Sequence, residues 1–236
     1  MSAPSSPTSE SCASTPDSLF DEPAIPPATL SAPPIPGLFF DPSLVLPAEL
    51  ADGVVQFCLN TYFTRPNVNQ VMLFGDEIPQ HLQDLLSLLS PLLRHSLPNA
   101  VHTLLFPATP QMARQAIVNL YHPGEGITPH VDLLGRYADG IVGVSFGSGC
   151  VMRFDRTGAD SDDADDPPRH LFLPERSVIV LCGDARYKWS HGIERRTEDV
   201  VVGPDGSLVS IARTRRVSVT FRWLLPGADV LGDSDA

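Results

Sequence analysis

The chain has 236 residues, a formal net charge of −12 and a composition that is 42% hydrophobic and 19% charged. This length and apolar content are sufficient for one domain with a buried core, and they exclude a chain that is disordered throughout. No apolar run reaches the ~18 residues of a transmembrane helix, and residues 1–18 contain neither a positive charge nor an apolar run. We therefore expect no membrane span, no secretory signal, and a location in the cytoplasm, the nucleus or both.

The negative charge is concentrated in three segments. Residues 1–36, 155–166 and 226–236 account for all of it, so the rest of the chain is neutral overall. Residues 186–222 contain eight basic side chains and four acidic ones. This local excess of positive charge is compatible with an anionic ligand or a polyanion, so the net charge does not exclude RNA or DNA as a partner.

The N-terminal third of the sequence predicts a tail followed by two helices. Residues 1–36 are rich in Pro and Ser, which predicts a disordered acidic tail; a docking peptide for a proline-recognising module is the alternative. One helix is predicted from Pro47 to about Asn60. A second is predicted from Glu77 to His95, where leucines recur at helical spacing and would cover one face of a sheet.

After Pro107 the pattern changes from helix to strand. Short runs rich in β-branched residues are separated by Gly, Pro and Asp, and no helix long enough for a βαβ unit lies between them. We therefore predict a mainly β domain with flanking helices (α+β) over residues 37–226, closed as an antiparallel sandwich or jelly roll, with the N-terminal helices buttressing one sheet. An acidic loop is predicted at 158–166 and an acidic tail at 227–236. The predicted strands are Ala116–Tyr121, Ile141–Phe146, Cys150–Phe154, His170–Leu173, Ser177–Leu181 and Arg216–Leu224.

A candidate metal site is indicated by a His-x-Asp pair and a later histidine. His130 and Asp132 are two residues apart, and such residues share one side of an extended segment, so both side chains can reach one metal ion. His191 follows the predicted strand Ser177–Leu181. Two histidines and one carboxylate form the facial triad of non-haem Fe(II) oxygenases, which leaves positions open for a co-substrate and O2. A His-x-Asp pair alone is weak evidence, because surface or hydrogen-bonded core residues give the same pattern.

Two arginines on the last predicted strand add a candidate anion site. Arg216 and Arg222 are six residues apart, so both lie on one face of the sheet, and the alternation of apolar residues places that face inward. Two buried guanidinium groups are costly unless they meet an anion, and a dicarboxylate offers each a bidentate partner. The alternatives are pairing with buried aspartates and exposure at an edge strand.

These residues and their neighbours resemble the AlkB family of Fe(II)/2-oxoglutarate-dependent dioxygenases, and within it the oxygenase domain of the animal tRNA wobble-uridine hydroxylase. The resemblance covers residues 115–225 in detail. The motifs that carry it are Asn119-x-Tyr121-x-Pro123-Gly124-x-Gly126-Ile127-x-Pro129-His130-x-Asp132, Gly183-x-x-Arg186-Tyr187-x-Trp189-x-His191-Gly192-Ile193, Arg216-x5-Arg222 and Ser218-x-Thr220-Phe221-Arg222.

The resemblance implies a double-stranded β-helix with His130, Asp132 and His191 as ligands of Fe(II). It implies an oxidoreductase that hydroxylates or oxidatively demethylates a modified nucleobase, in RNA more readily than in DNA, and releases succinate and CO2. A protein-directed 2-oxoglutarate oxygenase is the alternative within the same chemistry. A catalytically silent scaffold that docks through the Pro-rich tail is the alternative from another class.

The resemblance also implies which side chains bind 2-oxoglutarate. Arg216 would bind its distal carboxylate, while Asn119 and Tyr121 would add hydrogen bonds. Arg222 would meet the end of the co-substrate nearest the metal, or the metal-binding carboxylate. Ser218 belongs to the same set, although AlkB itself has Asn at this position. The sequence leaves the substrate and the oligomeric state open.

Overall fold

A computed structural model describes residues 25–158 and 167–228 of the protein. In these residues none of the helices is long and apolar enough to cross a membrane. The elements are β1 (Leu38–Phe40), α1 (Ala48–Thr61), β2 (Gln70–Phe74), α2 (Gln80–Leu93), α3 (Asn99–Leu105), β3 (Arg114–Tyr121), β4 (Ile127–His130), β5 (Tyr137–Phe146), β6 (Cys150–Arg156), β7 (Arg169–Leu173), β8 (Val178–Leu181), α4 (Asp184–Tyr187), β9 (Trp189–Ile193), β10 (Glu198–Val202), β11 (Leu208–Ala212) and β12 (Arg216–Leu224).

Two antiparallel sheets form the body of the fold. The larger sheet has the order β1-β8-β5-β12-β3-β2, and the smaller sheet has the order β4-β9-β6-β7. Side chains from both sheets share one apolar cluster, in which Ile141 and Ile179 of the larger sheet meet Phe154 and Leu171 of the smaller one. The sheets therefore pack face to face, and the predicted jelly roll with flanking helices is confirmed.

The helices cover the other face of the larger sheet. Leu82, Leu85 and Leu89 of α2 recur at helical spacing, are fully buried, and belong to the same cluster as Val118 and Phe221 of the sheet. Both predicted helices are therefore confirmed, with small shifts at their ends. α2 begins only at Gln80, after Pro79, because the three residues 75–77 form a separate 3₁₀ turn.

The boundary predicted at residue 36 is too late. Ala28 is fully buried and bridges Val201 of β10, and the neighbouring Thr29 bridges Leu171 of β7. Ile35 is also buried and joins the cluster between the sheets. Backbone hydrogen bonds, to which a Pro-rich composition is no guide, attach this segment to the domain. The rest of the predicted N-terminal tail (residues 1–24), most of the acidic loop (159–166) and most of the C-terminal tail (229–236) lie outside the described residues.

Candidate active site

Two strands of the smaller sheet bring the predicted metal ligands together. His130 ends β4 and lies directly opposite His191 of β9 in the strand register, and Asp132 follows two residues after His130. One ligand atom from each of the three side chains lies within 4.8 Å of the others. The site predicted from a His-x-Asp pair and a distant histidine is therefore a spatial cluster whose donors, two imidazoles and a carboxylate, suit one Fe(II) ion.

Hydrogen bonding directs the His130 ring toward this cluster. Its Nδ1 lies 2.9 Å from the carbonyl oxygen of Thr128. Because a carbonyl only accepts hydrogen bonds, Nδ1 carries the proton, and Nε2 keeps its lone pair. That Nε2 lies 3.9 Å from Oδ1 of Asp132. The imidazole is thus held in the tautomer that a metal ligand requires.

Burial keeps the second imidazole neutral. It lowers the pKa of His191 to about 4, against a smaller opposing effect of the nearby Asp132 carboxylate. The ring centroids of His130 and His191 are 4.7 Å apart. Protonation of either ring would place positive charge against the other and against a bound cation. A neutral His191 is available as a ligand at neutral pH.

An arginine and a glutamine hold the Asp132 carboxylate in place. Arg222 donates a hydrogen bond from Nη1 to Oδ1 of Asp132, and it donates from Nη2 and Nε to Oε1 of Gln115 at 2.7 and 3.2 Å. All three side chains are buried, and the Arg222 guanidinium also lies 3.9 Å from the ring of Tyr137. Arg222 thus forms the ion pair with a buried aspartate that the sequence left as an alternative, and this aspartate is the candidate metal ligand.

The other arginine of β12 has no anionic partner among the described residues. Arg216 is buried, and its Nη2 and Nε donate to the hydroxyl of Ser145 at 2.8 and 3.3 Å. Its Nη1 is buried and has no hydrogen-bond partner in the described part of the chain. A buried guanidinium with an unpaired donor is costly unless an anion is bound. The dicarboxylate expected from the sequence fits this requirement.

All eight predicted site residues line one cavity of about 140 Å³ between the sheets. Burial raises the pKa of Tyr121, so its hydroxyl stays protonated and can donate a hydrogen bond. Asn119 accepts a hydrogen bond at its Oδ1 from Gln70 of β2 at 2.7 Å, which leaves its Nδ2 free to donate. Ser218 lies opposite both Asn119 and Ser145 in the strand register. The cavity therefore joins the metal cluster to the unpaired end of Arg216.

Several residues that support the site were absent from the sequence prediction. Ser145 is a lone hydroxyl in an apolar strand, and Gln115 lies on the same face of β3 as Asn119. Both positions could therefore have been identified from the sequence as polar residues that face the site. Arg186 belongs to the motif that contains His191, but the sequence assigned it no function. It is almost completely buried and donates to the carbonyl oxygens of Asp132 and Tyr137 at 3.0 and 3.2 Å. It therefore fixes the backbone that follows the metal-binding carboxylate.

The chain is similar in sequence to several known proteins. An uncharacterized protein of Acanthamoeba polyphaga mimivirus is 38% identical over 112 residues, which are 48% of this chain and 49% of that protein. The tRNA (carboxymethyluridine(34)-5-O)-methyltransferase of Xenopus tropicalis is 34% identical over 119 residues, 46% of this chain and 18% of that protein. An N6-methyladenosine RNA demethylase of Cryphonectria parasitica is 33% identical over 98 residues, 39% of this chain and 42% of that protein.

These matches span about half or less of each relative's length. The sequence profile of the 2OG-Fe(II) oxygenase superfamily matches residues 64–222, which include all eight predicted site residues. This chain belongs to the 2OG-Fe(II) oxygenase superfamily as an AlkB-like dioxygenase, and the superfamily works with Fe(II) and 2-oxoglutarate.

Proposed function

We propose that the protein hydroxylates or oxidatively demethylates a modified nucleobase, with RNA favoured over DNA as the substrate, and releases succinate and CO2. The observation that carries the proposal is a cavity with the His130, Asp132 and His191 cluster at one point and the unpaired Nη1 of Arg216 at another. The names of two relatives, a tRNA-modifying enzyme and an RNA demethylase, support a nucleobase substrate.

In this proposal the three clustered side chains hold the iron. His130 presents Nε2 because its Nδ1 proton is bound by the Thr128 carbonyl. His191 is neutral because burial lowers its pKa. The hydrogen bond from Arg222 holds the Asp132 carboxylate in a fixed orientation. The tautomer of His130, the neutral charge of His191 and the orientation of Asp132 are therefore set before the ion binds.

The co-substrate would be bound by the donors that surround the rest of the cavity. Arg216 binds the distal carboxylate of 2-oxoglutarate through the Nη1 that has no partner in the described protein. Tyr121 lies opposite Arg216 on the neighbouring strand β3, and Ser218 lies two residues further along β12. Both would add hydroxyl donors, while Asn119 offers its Nδ2. Arg222 acts at the end of 2-oxoglutarate nearest the metal, because it holds the candidate metal ligand Asp132 in place. The donor set matches a dianion with one end on the metal.

When bound, Fe(II) and 2-oxoglutarate together with O2 supply the oxidation of a substrate C–H bond, and hydroxylation of an N-methyl carbon leads to loss of that carbon as formaldehyde. The protein's part is to exclude water and to position the base. The candidate iron ligands line a cavity between the two sheets, which a base stacked inside a duplex does not enter. The target base must therefore be single-stranded or flipped out of its stack.

The first experiment is anaerobic titration of the apo-protein with Fe(II) and 2-oxoglutarate, monitored by the visible metal-to-ligand charge-transfer band. We expect the band in the wild type, its loss in His191→Ala, and a much higher 2-oxoglutarate requirement in Arg216→Ala. Arg65→Ala is the control, because Arg65 is exposed and does not line this cavity. Absence of the band from a folded wild-type sample would refute the assignment of ligands.

The second experiment tests the substrate. Succinate release is measured with matched single-stranded RNA and DNA that carry modified bases, and with peptides, and the oxidised product is identified by mass. Product from RNA in excess of DNA is the expected result. Product from peptides alone would replace the nucleobase proposal with a protein-directed oxygenase. Loss of RNA product in Asp132→Ala, with binding of RNA retained, separates catalysis from a silent scaffold.

A further inference from the structure

The mouth of the active-site cavity is bordered by exposed side chains that the proposed mechanism does not use. β2 is an edge strand of the larger sheet, and its first residue, Gln70, lines the cavity. Met72 faces the same side of β2 and is 47% exposed. Asp132 also lines the cavity, and the next two residues, Leu133 and Leu134, are 62% and 57% exposed. Large exposed apolar side chains thus adjoin cavity-lining residues in two segments of the chain.

An arginine lies within this border. The guanidinium carbon of Arg136 is 5.9 Å from the centroids of both the Phe74 ring of β2 and the Tyr137 ring. No carboxylate among the described residues pairs with it, and its Nε is buried without a hydrogen-bond partner. We call Met72, Leu133, Leu134 and Arg136 the rim. The rim combines three apolar side chains with one unpaired positive charge.

The backbone of the rim is held in place. The carbonyl of Leu133 accepts hydrogen bonds from the amides of Arg136 and Tyr137 at 3.2 and 3.1 Å, and the carbonyl of Arg136 accepts one from the amide of Leu225. From inside, the buried Arg186 donates to the carbonyls of Asp132 and Tyr137. The exposed leucines are therefore carried by a rigid segment that begins at a metal ligand, so their position relative to the iron is fixed.

We propose that the rim binds the single-stranded nucleic acid that flanks the oxidised base. Arg136 binds a backbone phosphate, and Met72, Leu133 and Leu134 contact the neighbouring sugar and base. Charge complementarity and continuity with the cavity support this occupant, since the guanidinium has no carboxylate partner among the described residues and the leucines adjoin the candidate ligand Asp132. A single strand of nucleic acid carries phosphates next to the apolar faces of its bases. The rim offers a partner for each, a guanidinium for the phosphate and apolar side chains for the base. This inference rests on the proposed function.

The test compares an oligonucleotide with the corresponding free modified nucleoside, which has no phosphate. Arg136→Gln should raise the KM for the oligonucleotide roughly tenfold or more, since one charge-assisted hydrogen bond is lost. It should also reduce the slope of log KM against log salt concentration by about 1. The KM for the nucleoside, the KM for 2-oxoglutarate and the charge-transfer band should stay unchanged. Arg136→Lys should restore the salt slope.

The apolar part of the rim has a different expected signature. Leu134→Ser should raise the KM for the oligonucleotide without changing the salt slope, because no charge is removed. The matched controls are Arg65→Gln and Val209→Ser, the latter an apolar side chain 46% exposed on the β10–β11 hairpin. Both controls should behave as the wild type.

The outcomes separate the two proposals. If the wild type oxidises no nucleic acid in any form, the proposed function fails and the rim proposal fails with it. If the wild type oxidises the oligonucleotide and Arg136→Gln does so with the same KM and salt slope, the rim proposal alone is wrong. An equal rise in KM for the nucleoside would also overturn it, since the effect would then arise inside the cavity.

Discussion

The ion pair between Arg222 and Asp132 leads to a prediction about stability before any metal is bound. Both side chains are 6% exposed, and Gln115 completes the set with two hydrogen bonds from Arg222. Arg222→Met keeps the apolar part of the side chain and removes the cation, which leaves a buried carboxylate unpaired. Breaking one side of a buried pair costs about 3–5 kcal/mol. In a chain of this size that corresponds to a fall in Tm of very roughly 6–20 °C.

The double variant makes the argument quantitative. Asp132→Asn alone leaves the Arg222 cation with only Gln115 as a partner and is also expected to destabilise. In Arg222→Met/Asp132→Asn neither charge remains, so the double variant should be more stable than the sum of the single changes by about 2–3 kcal/mol. Denaturant unfolding of the four apo-proteins measures this coupling. Additivity within about 0.5 kcal/mol would refute the ion pair as the stabilising contact.

The effect of metal binding on the stability of the same variants is a second test of the ion pair. Mn(II), a redox-stable substitute for Fe(II), supplies the cation that Arg222→Met lacks, so it should raise the unfolding midpoint of that variant more than that of the wild type. Arg114→Met is the matched control. Arg114 lies 3.7 Å from the Trp223 ring and donates to the Leu105 carbonyl, with no carboxylate involved. Its loss should destabilise without any added response to Mn(II).

Three further predictions follow from buried groups and backbone contacts. The folded pKa of His191 is about 4 against 6.5 for the free side chain, so the unfolded chain binds the additional proton between these values. The contribution of His191 to apo-protein stability should therefore be constant above about pH 6.5 and fall by up to ~3 kcal/mol toward pH 4. The free energy of urea unfolding of His191→Gln should depend less steeply on pH in this range. Thr29→Pro removes the amide that donates to the His170 carbonyl and should lower Tm, whereas Ser31→Pro, whose amide makes no such described bond, should not. Arg216→Gln should raise the KM for 2-oxoglutarate at least a hundredfold with kcat largely kept at saturation, as measured by succinate release; an unchanged KM would contradict its assigned partner.

The sequence predicted those parts of the site that depend on spacing along a strand. The ligand atoms of His130 and Asp132 lie close together because alternate residues share a side, and Arg216 and Arg222 lie inward together for the same reason. The burial of α2 followed from its leucine spacing in the same way. The assignment of His191 came from the family resemblance as much as from its own position, and the register between β4 and β9 then places it opposite His130.

The remaining features depend on pairing between distant strands, which a single sequence does not display. Gln115 acts on Arg222 because those two residues are register partners across β3 and β12, and Ser145 reaches Arg216 from β5. The attachment of residues 28–35 was missed because its hydrogen bonds come from the backbone, to which side-chain composition is a poor guide. A Pro-rich segment can be extended and still paired.

The two arginines of β12 explain why one pocket serves both a metal and a dicarboxylate. Arg222 is paired with Asp132. Within residues 25–158 and 167–228, Arg216 donates to the Ser145 hydroxyl alone and keeps a donor without a partner. With His191 held neutral, the pairing of Arg222 with Asp132 leaves Arg216 as a cation without a carboxylate partner among the described residues that line the cavity. Fe(II) alone would add two positive charges to that excess, and 2-oxoglutarate would cancel them. Each ligand thus offsets the charge of the other, which favours their joint binding over that of either alone.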